Sequence, residues 1–416
     1  MTRKQVNAGL FLGLARVLLC FFALAAASAA NADQILLSAQ IGGDAQRTRF
    51  VAFLSKKVEY RVFSISEPYR IVIDLPEVYI QVPGEKGKGL ILSSRSGLLA
   101  PGRSRIVIDL AEPAIVEKSE LLPPENNLPA RLVIELGRSS HKAFMGAVRT
   151  PPPVQRPPAS QSAAIAKNPQ DKRPLIVVDP GHGGVDAGAH GRVTGTPEKD
   201  LTLDFCKILA EKLEATGHYR VLMTRDQDVF VPLDERAEMA SKPKADLLVS
   251  IHADTLDIRR FGIKSLQEVR GGTIYTLSEE ASDDQARTMA QNENKADVEA
   301  GVASDAQPAA VVSEEINSIL SDLENRSKRN RSLAFANYLI AHLKDKIKFN
   351  SRPHRSANLR VLKATGVPCV LIELGYLSND DDEKLLTSSE WRAAKAALLA
   401  DAINAFMSER QAQIPL

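Results

Sequence analysis

A proline-rich stretch near the middle of the chain divides it into two regions of different pattern. It contains Thr150-Pro-Pro-Pro153 and Arg156-Pro-Pro158, and Ser, Ala, Gln and Lys residues follow. Proline fixes its own backbone angle and donates no hydrogen bond, and the polar residues add no core. Residues 139–172 are therefore predicted to form an extended, solvated linker between domains that move independently. The 416 residues leave room for a sizeable domain on each side.

The region before this linker, residues 34–138, has the pattern of strands alone. One hexad occurs three times in it, each copy apolar and β-branched between charged residues: Arg70-Ile-Val-Ile-Asp-Leu75, Arg105-Ile-Val-Ile-Asp-Leu110 and Arg131-Leu-Val-Ile-Glu-Leu136. The residues between the copies are rich in Gly, Pro and Ser, which is typical of turns. This pattern predicts an all-β sandwich. Because the region has no His or Cys, we expect it to bind a ligand rather than to catalyse a reaction.

After the linker, residues 174–411 alternate between short apolar runs and longer amphipathic segments. Strands are predicted at 175–178, 219–223, 245–251, 272–277 and 368–374, and helices at 201–215, 233–240, 332–346 and 389–408. Alternating strands and helices favour a twisted, mostly parallel sheet that is flanked by helices. The fold predicted for the whole chain is therefore an α/β domain preceded by an all-β sandwich.

The first 32 residues have the features of a signal peptide. The bases Arg3 and Lys4 precede an apolar stretch at residues 10–26, and Ala-Asn-Ala follows at 30–32. The alternative is a membrane anchor, but small residues follow the apolar stretch directly and no basic stop sequence follows them. Cys20 lies inside the apolar stretch and precedes two phenylalanines, which argues against a lipoprotein anchor. The chain is therefore expected to be exported.

Charge and cysteine content limit the partners and the compartment. The chain has 53 Lys and Arg residues and 51 Asp and Glu residues, and the predicted signal peptide carries bases but no acid. A nearly neutral mature chain excludes bulk electrostatic binding of nucleic acid. After the signal peptide only Cys206 and Cys369 remain, and both are predicted to be buried free thiols. Export without disulfides is compatible with the periplasm of a Gram-negative bacterium.

Four side chains with catalytic or metal-binding chemistry stand near the predicted strand ends. His182, His252 and Glu373 follow or end three of the strands, and Glu198 begins the helix after the first of them. Functional groups gather at the carboxyl ends of strands in open α/β sheets. Two imidazoles and one carboxylate can hold zinc with a fourth position open for water, and a second carboxylate can act as general base. The four residues thus predict a zinc site with a general base beside it.

Each of these residues also has a purely structural interpretation. A single histidine at a strand end is more often a hydrogen-bonded structural residue, and Glu198 would stabilise a helix N-terminus as an acid in the first turn. Glu373 is harder to explain in this way, because a carboxylate in the apolar run 367–377 is costly to bury without a partner. The joint occurrence of all four residues favours the functional interpretation.

Together these motifs resemble the zinc-dependent N-acetylmuramoyl-L-alanine amidases, which separate cell-wall peptide from glycan. The resemblance covers residues 174–411 and rests on motifs in the family's order: Asp179-Pro-Gly-His-Gly-Gly184 with Asp186 and Gly188, Glu198-Lys-Asp200, Thr224-Arg225 with Asp228, Ser250-Ile-His-Ala-Asp254 and Leu371-Ile-Glu-Leu-Gly-Tyr-Leu-Ser-Asn379. It implies that His182, Glu198 and His252 bind zinc and that Glu373 is the catalytic acid/base. The implied reaction is hydrolysis of the amide bond between N-acetylmuramic acid and the L-alanine of the stem peptide in peptidoglycan.

The same resemblance extends to the region before the linker. Residues 34–138 are similar to the AMIN domain found upstream of such amidases, which is thought to localise the enzyme to the envelope. The implied role is cell-wall remodelling and daughter-cell separation by a monomeric periplasmic enzyme. Two alternatives remain open: another zinc peptidoglycan peptidase that cuts within the stem peptide, and a non-catalytic wall-binding protein with a defunct metal centre. The complete set of four site residues counts against the second alternative.

A long acidic insert, residues 278–330, interrupts the α/β pattern. Residues 278–324 contain twelve acids and, as bases, only Arg287 and Lys295. Such a block is too charged for a core element and is predicted to form one or two surface helices with mobile joints. A helical stripe that can dock or bind a partner is predicted from Ile316, Ile319, Leu320 and Leu323.

The insert also bears on regulation. Some relatives that act in cell division carry an insert at this place whose helix covers the zinc and supplies a glutamate to it. Residues 290–297, Ala-Gln-Asn-Glu-Asn-Lys-Ala-Asp, resemble that helix, and Glu293 is the candidate blocking ligand. A fourth protein ligand would remove the open position that hydrolysis needs, whereas the alternative is a solvated acidic face. The resemblance implies that the insert autoinhibits the enzyme and that an envelope activator protein displaces it.

Overall fold

The computed structural model describes residues 35–80, 87–149, 171–256, 258–302 and 315–412. The predicted signal peptide, residues 1–32, lies outside the described residues, and so do residues 150–170 of the predicted linker. Among the helices of the described ranges, none is long and apolar enough to cross a membrane.

The region before the linker consists of strands in two sheets. The strands are β1 (Ile35–Gly43), β2 (Arg47–Leu54), β3 (Arg61–Ile65), β4 (Arg70–Pro76), β5 (Tyr79–Ile80), β6 (Ile91–Ala100), β7 (Arg103–Leu110), β8 (Ala114–Leu122) and β9 (Ala130–Arg138). The first sheet has the order β5-β1-β2-β9-β8 and the second the order β3-β4-β7-β6. β1 and β5 pair in parallel, and the other neighbours pair antiparallel.

One apolar core lies between these two sheets. Phe50, Ala52 and Leu54 alternate along β2 and are buried in this core, and Ile71 and Ile73 of β4 join them from the second sheet. Alternation of this kind is what a strand with one core-facing side requires. The sandwich predicted for this region is therefore confirmed.

Two of the three hexads are neighbours in the second sheet, on β4 and β7. Their antiparallel register puts Arg70 opposite Asp109 and Asp74 opposite Arg105. Both are ion pairs, with 2.7 Å between Arg70 Nε and Asp109 Oδ1 and 2.6 Å between Arg105 Nε and Asp74 Oδ1. Because the isoleucines of each hexad face the core, these charged residues lie on the other face of the sheet. The arginine of each hexad is thus paired with the aspartate of the other hexad.

A short helix, α1 (His141–Ala147), continues the sandwich into the segment predicted as linker. Ser140 caps this helix by accepting a hydrogen bond from Ala143 N, and Phe144 is buried in the core between the sheets. The predicted linker therefore begins too early. A single aromatic anchor produces no periodicity by which the sequence would reveal a helix of this length.

A six-stranded sheet forms the centre of the region after the linker. Its strands are β10 (Leu175–Pro180), β11 (Arg220–Met223), β12 (Leu247–His252), β13 (Gly272–Leu277), β14 (Phe349–Ala357) and β15 (Cys369–Glu373). Their order is β11-β10-β12-β15-β13-β14. Neighbours pair in parallel except β13 and β15, which are antiparallel. The sheet is thus mostly parallel, as predicted.

Helices cover both faces of this sheet. They are α2 (Glu198–Ala215), α3 (Leu233–Ser241), α4 (Ile258–Glu268), α5 (Asp284–Glu293), α6 (Ala296–Glu299), α7 (Glu315–Leu343), α8 (Asp380–Leu386) and α9 (Ser389–Ala412). In β10, Ile176 and Val178 pack in a cluster with α2, α7 and α9, whereas Leu175 and Val177 pack in a second cluster with α3 and α5. The predicted α/β fold is confirmed. Within the described ranges, Cys206 and Cys369 are buried and free, which is also as predicted.

Three features differ from the predicted elements. The sequence predicts a helix only at 332–346, but α7 begins at Glu315, so the end of the insert is continuous with it. β14 escapes prediction because its residues, Phe-Asn-Ser-Arg-Pro-His-Arg-Ser-Ala, include a proline and mostly polar side chains, which an edge strand tolerates. α4 and α8 likewise lack a predicted counterpart. The predicted stripe of Ile316, Ile319, Leu320 and Leu323 falls on side chains outside the described part.

The insert also contributes to the core. α5 buries Ala286, Met289 and Ala290 in the cluster that contains Tyr275 and Leu359. The prediction that the insert is too charged for a core element is therefore wrong for α5. Apolar residues at positions i, i+3 and i+4 give this helix a buried face, which the average charge of the whole block conceals.

The sandwich and the α/β region are packed against each other. Leu98 O accepts a hydrogen bond from Phe230 N at 3.2 Å. Leu99 and Val107 of the sandwich share an apolar cluster with Phe230 and Ala300 of the α/β region. The prediction of independently moving domains is therefore wrong for this arrangement, because the composition of a linker does not reveal whether the domains it joins have complementary surfaces.

We expect Phe144→Ala to destabilise the sandwich by about 3–5 kcal/mol, because it leaves a cavity in a closed core. Thermal unfolding of the full chain, followed for the sandwich transition, measures the effect. Met145→Ala is the matched control, since Met145 is the next residue of the same helix and is exposed. Equal, small effects of the two substitutions would contradict the assignment of α1 to the sandwich.

Candidate metal centre

His182 lies in the glycine-rich loop that follows β10. Its backbone φ is 59°, a left-handed conformation that is uncommon for a residue with a side chain. Arg236 of α3 holds this loop by donating hydrogen bonds to His182 O and to Pro180 O, both at 2.7 Å. Arg236 is also paired with Asp179, at 2.9 Å between Nη1 and Oδ1. A buried ion pair thus maintains the strained position of His182.

Glu198 is the first residue of α2, and both oxygens of its carboxylate are held by backbone amides. Oε1 accepts a hydrogen bond from Ala253 N at 2.8 Å, and Oε2 accepts one from Ala189 N at 2.9 Å. His252 is the last residue of β12, and its Nδ1 is 3.2 Å from Glu198 Oε1. The carboxylate is thus oriented into the site rather than toward the amides of its own helix N-terminus.

The three side chains predicted as zinc ligands converge. One ligand atom each of His182, Glu198 and His252 lies within 4.8 Å of the others, and all three residues are buried. His182 Nε2 is 3.2 Å from Glu198 Oε2. The two imidazole rings meet edge to face, with 4.9 Å between their centroids. A loop, a helix start and a strand end thus adjoin at the carboxyl edge of the sheet.

The donors and their surroundings fit a divalent ion such as zinc. Nδ1 of His182 is 2.9 Å from Asp186 Oδ2, and a hydrogen bond there leaves Nε2 with a lone pair that faces the site. Nε2 is buried and has no hydrogen-bond partner within the described ranges. Two imidazoles and one carboxylate are a donor set typical of catalytic zinc. A bound metal would therefore satisfy a buried nitrogen that is otherwise without a hydrogen bond.

Two glycines leave space for the converging side chains. A Cβ on Gly181 would lie 2.4 Å from Cε1 of His252. A Cβ on Gly188 would lie 2.5 Å from Cδ2 of His182 and 2.7 Å from Oε2 of Glu198. Gly188 also has a φ of 67°, which residues with side chains rarely adopt. Only glycine fits either position without displacing a candidate ligand.

The electrostatics of the site favour positive charge. Burial lowers the pKa of His182, but nearby carboxylates, that of Asp186 foremost, outweigh burial and raise this pKa well above its ordinary value. Burial raises the pKa of Glu198, but the imidazoles of His182 and His252 hold it well below its usual range. The carboxylate of Glu198 is thus ionised, and protons or a metal ion are attracted to the same nitrogen atoms.

Glu373 lies beside His252 at the end of the neighbouring strand. β12 and β15 pair in parallel with His252 and Glu373 in register. Oε2 of Glu373 accepts a hydrogen bond from Asp254 N at 2.9 Å, whereas the buried Oε1 has no hydrogen-bond partner among the residues described. Burial and the carboxylate of Asp254 raise the pKa of Glu373 well above its usual range. One oxygen is thus fixed while the other is available to exchange a proton.

Glu293, at the end of α5, reaches the same site. Its Oε2 is 3.2 Å from His252 Nδ1 and 3.6 Å from His182 Nε2. The residue is only 6% exposed, which does not fit the alternative of a solvated acidic face. The carboxylate of Glu293 thus lies close to one nitrogen of each imidazole, where it could act as a fourth ligand of an ion bound by the two histidines and Glu198.

Comparison with known proteins identifies the family of the chain. The family model described as N-acetylmuramoyl-L-alanine amidase matches residues 176–405. The chain belongs to this family. The N-acetylmuramoyl-L-alanine amidase AmiC of Neisseria meningitidis is 29% identical over an alignment of 430 residues, which covers 98% of each protein. AmiC of Escherichia coli is 27% identical over 378 residues, with 87% of each covered. AmiA of Escherichia coli is 33% identical over 239 residues, which cover 57% of this chain and 77% of AmiA.

Some residues of this amidase-family site have no role predicted from the sequence. Asp186 orients the ring of His182, and Arg236 with Asp179 holds the loop on which His182 lies. Asp186 follows His182 by four residues within a glycine-rich loop, and a carboxylate so close to a candidate ligand is a usable signal. Arg236 gives no such signal, because it lies on a separate helix and contacts the loop only in the folded chain.

We expect Gly188→Ala to weaken zinc binding by about 10- to 100-fold, because the added methyl group displaces two candidate ligands that the surrounding residues hold in place. Zinc titration of the purified full chain measures the loss. Gly195→Ala is the matched control, since Gly195 lies in the same loop with a φ of 71° but has nothing within 4 Å of its added Cβ. If both variants bind zinc equally, the crowding at Gly188 does not concern a metal site.

Proposed function

We propose that this chain is a zinc-dependent peptidoglycan hydrolase that cleaves the amide bond between N-acetylmuramic acid and the L-alanine of the stem peptide. The convergence of His182, Glu198 and His252 beside Glu373 carries the proposal. Membership of the N-acetylmuramoyl-L-alanine amidase family and the similarity to the AmiC proteins support it. The site combines three metal ligands with a proton-transferring carboxyl group, which is the minimum that metal-assisted hydrolysis needs.

His182, Glu198 and His252 would hold zinc in this proposal, and a bound zinc would supply polarisation of the scissile carbonyl and a lower pKa for water. Glu373 accepts a proton from the water molecule whose oxygen adds to the lactyl carbonyl carbon. The raised pKa of Glu373 allows it to keep this proton and then to donate it to the leaving nitrogen. The C–N bond breaks, which yields a carboxylate on the glycan strand and a peptide with a free L-alanine amine.

Glu293 blocks this reaction in the closed form. Its carboxylate lies within 3.6 Å of a nitrogen of each candidate histidine ligand, where the fourth position of the ion would otherwise accept water or substrate. The burial of α5 in the core supports a defined blocking position for Glu293. The insert is therefore autoinhibitory in this proposal, and an activator protein of the envelope displaces it.

The remaining regions follow from the same proposal. Residues 1–32 direct the chain to the periplasm, residues 34–138 form an AMIN-like sandwich that localises it, and residues 174–411 form the catalytic domain with the regulatory insert 278–330. The enzyme acts as a monomer in cell-wall remodelling and daughter-cell separation. The similarity to AmiC over nearly the full length of that relative from Neisseria meningitidis supports this assignment of the sandwich as well as of the catalytic domain.

We expect an activated form of the chain to release stem peptides with a free N-terminal L-alanine from purified peptidoglycan. Glu373→Gln should lower this rate by about 100- to 10,000-fold, because the amide keeps the shape of Glu373 but cannot transfer the proton. Mass spectrometry of the released fragments measures the products, and metal analysis shows whether the variant retains zinc. Fragments cut within the stem peptide would identify a peptidase instead, and undiminished hydrolysis by the zinc-loaded variant would remove Glu373 from the mechanism.

We expect Glu293→Ala to raise the rate of wall hydrolysis by at least about tenfold, because it removes the fourth ligand and reopens the position for water. Dye release from labelled peptidoglycan measures this rate. Glu280→Ala is the matched control, since Glu280 is an exposed acid of the same insert. The point variant is a sharper test than deletion of the insert, because deletion would also remove the core residues of α5. Equal rates for both variants and the unchanged chain would refute the block.

A further inference from the structure

The sandwich contacts the insert directly, close to Glu293. Three arginines stand on the outer face of the second sheet, Arg70 on β4, Arg95 on β6 and Arg105 on β7, and this group is called the arginine face below. Arg70 and Arg105 are almost fully buried although they lie on a face that points away from the sandwich core. Their burial results from contact with the segment that follows α5.

Each of the three arginines donates to main-chain carbonyls at the end of α6. Arg70 Nη1 donates to Val298 O at 2.6 Å, and Arg95 Nε donates to Glu299 O at 3.1 Å. Arg105 Nη1 donates to the next two carbonyls, at 3.2 Å and 2.7 Å. Val298 O also accepts a hydrogen bond from Gly301 N at 3.0 Å, and carbonyls at the C-terminal end of a helix carry partial negative charge. Residues 298–301 are called the clamped segment below. Their main-chain carbonyls accept hydrogen bonds from the positively charged side chains of the arginine face.

Ion pairs within the sandwich hold the arginine face. Arg105 forms a two-point pair with Asp74, and Arg70 and Arg95 share Asp109. Each guanidinium is thereby oriented with its remaining N–H groups outward. The pairs of Arg70 and Arg105 arise from the register of the two neighbouring hexads, and Arg95 joins them from β6, so ion pairs within the sheet restrain all three side chains.

The shape of the clamped segment also matches the sandwich. Ala300 is buried in a cluster with Leu99 and Val107 of the sandwich. Gly301 has a φ of 67°, and a Cβ there would lie 3.2 Å from Val72 and 3.5 Å from Ile65. The segment thus leaves little space for a side chain at Gly301, which indicates an interface with direct packing as well as hydrogen bonds.

A short connection joins the clamped segment to Glu293. Asn294 follows Glu293 and is held by Asn358 O and Arg360 N, at 2.7 Å and 2.9 Å. Asp297 accepts a hydrogen bond from Leu233 N at 3.0 Å and pairs with Arg360. The connection is thus short and is held to the α/β region at Asn294 and Asp297, so a displacement of the clamped segment would strain these contacts on its way to the end of α5.

We propose that the sandwich takes part in autoinhibition. Its arginine face holds the clamped segment, and this contact keeps the carboxylate of Glu293 in its blocking position at the candidate metal centre. The effect on hydrolysis rests on the proposed function, whereas the contact itself does not. In this arrangement the N-terminal region does more than localise the chain. Separation of the sandwich from the insert frees the end of α5, so whatever binds or moves the sandwich also controls access to the metal.

Two substitutions in the full chain separate the surfaces from opposite sides. Gly301→Val introduces a side chain between the clamped segment and Val72. Its matched control is Gly217→Val, because Gly217 also follows a helix end with a similar φ of 71° but has open space around it. Arg95→Gln removes the donors to Glu299 while Arg70 still neutralises Asp109. Its control is Arg49→Gln, because Arg49 forms an exposed pair with Glu135 in the other sheet.

Hydrogen exchange of the amides of residues 286–302 is the primary measurement. We expect exchange to be faster by about tenfold or more in Gly301→Val and in Arg95→Gln, and unchanged in both controls, because only the first two loosen the segment locally. Thermal unfolding verifies that the sandwich of each variant remains folded. Unchanged exchange in both clamp variants would overturn the proposal, whatever their hydrolytic activity.

Hydrolysis of labelled peptidoglycan distinguishes this inference from the proposed function. We expect both clamp variants to raise the rate, and we expect no further increase when either is combined with Glu293→Ala, because both act on one block. A rate increase with Glu293→Ala but not with the clamp variants would overturn the clamp and leave the proposed function intact. Faster exchange in the clamp variants, with no wall hydrolysis by any form, would overturn the proposed function and support the clamp as a structural contact.

Discussion

The burial of negative charge is the constraint on which the rest of the structure depends. Glu198, Glu293, Glu373 and Asp254 are each less than a tenth exposed and surround two imidazoles. Burial and the neighbouring carboxylates raise the pKa of Asp254 and of Glu373. Carboxylates this close cannot all remain ionised unless a cation or protonated imidazoles lie among them. A central positive charge therefore suits the folded chain as well as the chemistry, and the surrounding loops position the ligands for it.

Burial and charge act in opposite directions on Glu293, so its position at the site depends on other contacts. Burial raises the pKa of its carboxyl group, although the imidazoles of His252 and His182 act in the opposite direction. The cost of desolvating this carboxylate thus opposes its attraction to the imidazoles, and the strength of such an interaction depends on how well each partner is held in place. Contacts remote from the candidate metal site can then decide whether Glu293 stays in this position. The hydrogen bonds of the clamped segment lie only a few residues from Glu293 and are of this kind.

Local sequence pattern is sufficient for the parts of the site that lie at element ends. The apolar runs before His182, His252 and Glu373 identify strands, and parallel strands bring their carboxyl ends to one edge. The pattern cannot supply Arg236, whose contact with the His182 loop exists only after folding, nor the buried face of α5 within an acidic block. It is also silent on the contact between Arg105 and Ala300, which are 195 residues apart in sequence. The donor types, two imidazoles and a carboxylate, are sufficient to predict zinc as the candidate metal, and the family resemblance implies the same ion.

The repeated hexad explains how a binding surface can arise from a sequence that otherwise reads as ordinary strand. Alternate residues of the hexad build the core, and the remaining positions place an arginine and an aspartate on the other face. Antiparallel pairing of two identical copies neutralises both ends, yet each guanidinium has more N–H groups than one carboxylate accepts. The unused donors point outward and need acceptors, which main-chain carbonyls at a helix end supply. The third hexad lies in the other sheet, where Glu135 instead faces the exposed Arg49, so neighbouring copies rather than the hexad itself create the surface.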